Sequence, residues 1–143
     1  MASKEANAYF EMAEDQLKDA ERSFKAGSYA LCAFLSASSA ENATSALLIA
    51  LGAKPSKKHR NSLVLYRLIP SVSHELQSTL KEVIESMKIL EPHITKARYP
   101  VRRGVELLPP SKFYKKETAG KALTEARAVM GRVKFVCRHL GKV

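Results

Sequence analysis

The chain has 143 residues, enough for one domain whose core needs neither disulfide nor metal support. Apolar residues make up 45% and charged residues 27%, the balance of a soluble globular protein, and tryptophan is absent. Net charge is +10, yet residues 1–50 hold four basic and seven acidic side chains, a balance of −3 that leaves +13 beyond them. Such asymmetry favours an anionic partner: a nucleotide, RNA, DNA or an acidic protein face.

Several classes fall away at once. The N-terminus is too charged for a secretory leader. The longest strongly apolar run, Ala46 to Leu51, is far short of a membrane span. Cys32 and Cys137 form no close-spaced motif and read as small core residues in a reducing cytoplasm, so a cytoplasmic protein with no membrane contact is expected. No segment shows the β-branched alternation of strands, and the expected class is all-α.

Helix 1 is expected after Ser3, a hydroxyl able to cap the first turn, with Ala6, Phe10, Ala13, Leu17, Ala20 and Phe24 repeating at steps of four and three. Gly27 suits a left-handed cap, and so short a link predicts an antiparallel neighbour. Helix 2 is expected over Tyr29 to Leu51, central in a bundle, because Ala33, Ala37, Ala40, Thr44, Leu47 and Leu51 form one stripe beside Phe34, Ser38, Glu41, Ser45 and Leu48. Glu41 stands out, since an acid among small residues needs a partner; a nearby Lys or Arg is the plain expectation.

After Gly52 comes a basic loop with Pro55, then a short helix over Ser62 to Ile69 that Pro70 closes. Ser73 is expected to cap the following helix, whose core stripe is Leu76, Leu80, Val83, Met87 and Leu90 and which Pro92 stops. Residues 93–114 have three Pro, one Gly and no sustained period, and read as a long loop of the kind that carries function. The last helix is expected over Lys115 to Leu140, with Ala119, Ala122, Ala126, Val129, Val133, Val136 and Leu140 facing the core. No linker or internal repeat interrupts the chain, so residues 1–143 read as one domain.

Taken in order, a short first helix, the GSYALCAFLSASSAENATSALLIALG helix, the Gly52-x-x-Pro55-x-x-x-His59 loop, the ARYP segment and a Tyr-initiated last helix resemble the HEPN domain family (higher eukaryotes and prokaryotes nucleotide-binding), of the small standalone prokaryotic or archaeal type. The resemblance covers nearly the whole chain. It implies an up-and-down bundle of four or five helices, usually a homodimer. It also implies one of two roles: partner of a minimal nucleotidyltransferase in a toxin–antitoxin-like pair, or metal-independent ribonuclease carrying an Arg, then four to six residues, then a His. The sequence departs from the family pattern twice. Ser38, Ser39, Asn42 and Thr44 surround Glu41 where glutamines and a lysine are usual, and Arg60, Asn61 and Ser62 separate His59 from Leu63.

Three constellations bear on chemistry. Arg132 and His139 match the Arg-to-His spacing, and seven residues is about two helical turns, so both can face one groove as a catalytic pair; the competing view is a solvated basic face at a helix end. Arg67 and His74 match the spacing too, across Pro70. Second, Lys96, Arg98, Tyr99, Arg102 and Arg103 fall within eight residues, followed by Lys112, Lys115 and Lys116. Arg forks bind phosphate and a Tyr ring stacks on a base; alternatively Arg98 pairs with a carboxylate such as Glu41 while Tyr99 packs in the core. Third, Lys54, Lys57, Lys58, His59 and Arg60 extend a basic surface, with Lys58 and His59 as nucleotide- or RNA-binding candidates. No metal set, cofactor loop or paired-carboxylate site is recognisable. The reading that follows is a nucleotide- or RNA-binding module acting with a nucleotidyltransferase. The alternatives are a ribonuclease using Arg132 and His139, and a dimerising scaffold that meets an acidic protein.

Overall fold

The computed structural model describes residues 3–141. Six α-helices follow one another: α1 (Lys4–Lys25), α2 (Tyr29–Ala50), α3 (Asn61–Leu68), α4 (His74–Leu90), the single turn α5 (His93–Lys96) and α6 (Lys116–His139). The architecture is an all-α bundle, as the helical periodicity predicts.

Local chemistry explains the boundaries. Ser3 Oγ accepts the Ala6 N–H at 3.0 Å and so caps α1, while Gly27 at φ 78° and Gly52 at φ 82° turn the chain out of α1 and α2 in the left-handed region where a side chain is strained. Ser28 and Ser73 sit at their helix starts but make no side-chain cap bond, against expectation for Ser73. α3 begins one residue earlier than expected, and Ile69–Ser71 form a 3-10 turn containing Pro70.

α2 is the hub. Thirteen of its 22 residues are buried, on every side, against α1, α4, α5 and α6. The small stripe lets α1 approach closely enough for Ser39 Oγ to donate to the Ala13 carbonyl at 2.7 Å in a fully buried contact. The expected core stripe of α4 is buried throughout, as are Ala119, Ala122, Ala126, Val129, Val133 and Val136 of α6. α6 runs antiparallel to both α1 and α4. Pairs Lys134–Glu14 (3.5 Å) and Arg127–Glu21 (3.7 Å) line one seam, and Arg132–Glu82 (2.8 Å) and His139–Glu75 (3.3 Å) the other.

The segment read as a structureless loop is not one. α4 ends at Leu90 just ahead of Pro92, as expected, but Pro92 also stands at the start of the single turn α5. Beyond it, strands β1 (Val101–Arg103) and β2 (Glu106–Leu108) pair antiparallel, Val101 opposite Leu108, around a two-residue turn with Gly104 at φ 63°. Strands of three residues carry too little alternation to register in the sequence. His93 Nδ1 and the Tyr114 hydroxyl, both buried, meet at 2.7 Å and pin the start of this excursion to its end.

Candidate functional site

Glu41 projects from the middle of α2, and its partner is neither Lys nor Arg. Its Oε1 lies 2.6 Å from His59 Nδ1, with the Glu41 side chain 22% exposed and that of His59 48% exposed. His59 has φ 60°, the one non-glycine residue in the left-handed region among the described residues. A side chain there is held by its surroundings at a cost of order 1–3 kcal/mol. The surroundings are a polar network. Asn61, 1% exposed, donates to the Glu41 carbonyl, Thr44 Oγ1 and Ser45 Oγ at 3.0, 2.9 and 3.0 Å, and its Oδ1 accepts the Ser56 N–H at 2.9 Å. Ser56 Oγ in turn accepts the N–H groups of Lys58 and Arg60, each at 3.1 Å. The loop is thereby locked on both sides of His59.

An open cleft of about 620 Å³ lies beside it. The 58–60 loop, the first turn of α3, Lys88 and Glu91 from the end of α4, and Thr95 of α5 line it. Glu91 binds the start of α3, accepting the Ser62 N–H at 2.9 Å and the Ser62 hydroxyl at 2.6 Å, so a carboxylate satisfies the helix N-terminus there. Lys58, Arg60 and Lys88 are exposed around the rim.

The second basic cluster is assembled differently. Arg98 does not reach Glu41. Its Nε donates to the Ile94 carbonyl at 2.8 Å, and its guanidinium lies 5.5 Å from the Phe34 ring centroid and 5.2 Å from that of Tyr99. Tyr99 is 53% exposed rather than in the core. Arg103 stands 5.3 Å and Lys96 6.0 Å from the Phe113 ring, and Arg102 is exposed on β1. None of Lys58, Arg60, Lys96, Arg98, Arg102 and Arg103 makes a salt bridge among the described residues. The two clusters meet on one stripe of α2, because Phe34 supports Arg98 and Glu41, seven residues on, holds His59.

Arg132 and His139 do face a common side, toward α4, but each is engaged by its own carboxylate, Glu82 and Glu75 respectively. Seven residues apart on one helix, they sit about 10 Å from each other along the axis. Burial pushes the thiols of Cys32 and Cys137 up, so both are inert core groups. Among the described residues no three His, Cys, Asp or Glu side chains converge as a metal site. Sequence reasoning missed Asn61, Lys88, Glu91 and Phe113. The first was visible only as a departure from a family pattern, and the others come from elements that only folding brings to the site.

The family model for the HEPN domain matches residues 6–136. This chain belongs to the HEPN family. The crystal structure of TT1696 from Thermus thermophilus is similar in fold, with a TM-score of 0.71 and 24% identity over 93% of this chain and 98% of that one. No curated protein matches. Among the described residues of this HEPN chain, no helix is long and apolar enough to cross a membrane.

Proposed function

We infer that this HEPN chain is a nucleotide- or RNA-binding module, working as a homodimer with a minimal nucleotidyltransferase partner. One contrast carries the binding role. The three cations in the middle of α6 (Arg127, Arg132, Lys134) are matched to carboxylates, while Lys116, Lys121 and Arg138 nearer its ends are not. Lys58, Arg60, Lys96, Arg98, Arg102 and Arg103 are likewise without one among the described residues, and they are gathered in two short segments. The guanidinium groups of Arg98 and Arg103, lying over the rings of Phe34, Tyr99 and Phe113, offer phosphate contacts beside the exposed Tyr99 ring.

Binding of labelled single-stranded RNA over a salt series tests this reading. Affinity should fall steeply with salt, and Arg102→Ala with Arg103→Ala should reduce the slope of log K against log salt by about 1.4, or about 0.7 per lost phosphate contact. Affinity indifferent to salt, or unchanged in the double variant, would overturn it. The homodimer and the partner are checked by sedimentation of the protein alone and after mixing with a purified minimal nucleotidyltransferase.

A further inference from the structure

We propose that His59 is a phosphoryl-acceptor site, its Nε2 taking a phosphoryl group from an N-phosphorylated donor that enters the cleft beside it. The inference goes beyond the RNA-binding reading and is tested without RNA. The Glu41 carboxylate lies 2.6 Å from His59 Nδ1, so the neutral ring carries its proton on Nδ1 and its lone pair on Nε2. Among the four histidines only His59 is set in this way. His139 spends Nε2 on Glu75 at 3.3 Å, His93 is buried against Tyr114, and His74 has no carboxylate partner among the described residues. The ring is also fixed before any ligand arrives. Ser56 Oγ accepts the N–H groups of Lys58 and Arg60, and so holds the backbone on either side of His59 at its φ of 60°.

The open cleft of about 620 Å³ sets Lys58, Arg60 and Lys88 around this ring. Lys58 and Arg60 have no carboxylate partner among the described residues, and Lys88 has the exposed Glu85 at 3.4 Å. The cleft's own acid, Glu91, is already taken by the N–H and hydroxyl of Ser62. A nucleophilic nitrogen among cations suits a compact dianion carried on another molecule, and a phosphoryl group is that dianion. Nε2 gives its electron pair to phosphorus as the donor's P–N bond breaks. The donor nitrogen, protonated on entry, leaves as the neutral amine or imidazole with the electron pair of that bond. Nδ1 keeps its proton against Glu41, which offsets the positive charge left on the ring. Lys58 and Arg60 neutralise the phosphoryl oxygens during the transfer. Glu41 is a positioning residue: it decides which nitrogen reacts without touching the donor.

The whole chain incubated with potassium phosphoramidate and quenched in alkali tests the proposal. Peptide mass spectrometry locates the label, and ³¹P and ¹⁵N NMR assign the nitrogen that bears it. One phosphoryl group is expected on His59, bonded to Nε2 and appearing on the order of tenfold faster than on His74 or His139. Glu41→Ala should slow the transfer about 10- to 100-fold, the range for losing a carboxylate behind a histidine, and should yield both Nδ1 and Nε2 isomers while circular dichroism keeps its helical signal. Glu41→Gln still offers Nδ1–H an acceptor and should retain the Nε2 isomer. Lys58→Ala with Arg60→Ala should slow the transfer without changing the isomer. Label spread evenly over His59, His74 and His139, label on Nδ1 of His59 in the unaltered chain, or a His59 that stays unlabelled would each overturn the proposal and leave the RNA-binding reading standing.

Discussion

The two basic clusters are built by opposite means. The 54–60 loop is tied into the core through hydrogen bonds: Asn61 reaches three groups of α2, and Ser56 collects two backbone donors. The 96–113 excursion is held at its root by the His93–Tyr114 contact and the Arg98–Ile94 bond, internally by the β1–β2 pairing, and by rings under cations, with Val105 at its tip 95% exposed. A hydrogen-bonded loop fixes one side-chain direction at a time, as a proton-transfer group requires. A stacked hairpin keeps charge on the surface and tolerates a ligand of variable sequence. The difference is one of order, and order can be measured.

The largest effect is expected at Asn61. Asn61→Ala orphans the Ser56 N–H and the groups of α2 it now serves, so chemical denaturation should show a loss of at least about 2 kcal/mol, since each buried unsatisfied group costs ~1–3 kcal/mol. Next comes the root of the hairpin. Burial, then the charge of Lys96, lowers the pKa of His93 below 6.5, and burial pushes Tyr114 up to about 12. The unfolded chain therefore takes up a proton at His93 more readily than the folded one does. Its contribution is fully present above pH 6.5 and is lost as pH falls through that value toward the folded pKa. Melting temperature should drop between about pH 7.5 and about pH 5, and less so in His93→Gln. The smallest effect belongs to the stacked pairs: Arg103→Ala should change stability by no more than about 1 kcal/mol, the size of an exposed cation–π contact, while still weakening RNA binding.

Most of the bundle was legible because burial imposes a helical period. The stripes of α1, α2, α4 and α6 were each readable from apolar spacing, and Gly27 and Gly52 marked true ends. The site was legible only as a set of charged residue types. Glu41 was recognisable as an acid in want of a partner, but the pairing with His59 depends on a left-handed turn at a non-glycine residue, which no residue type announces. The β-hairpin escaped because three-residue strands are too short to alternate, and the choice between the two readings of Arg98 stayed open because stacking on Phe34 competes with a carboxylate without leaving a spacing. Arg132 and His139 show the converse: a spacing that is real, on side chains already engaged by Glu82 and Glu75.

Phe34 and Glu41 lie on a single rigid helix, so the attachment points of the two clusters are separated by a fixed length of about 10 Å. On the proposed binding role the surface is bivalent: a mononucleotide should engage one cluster, whereas an oligonucleotide long enough to bridge both should gain the second contact at high effective concentration. Affinity should therefore rise with chain length in a step rather than a slope, and the step should vanish when either cluster is removed.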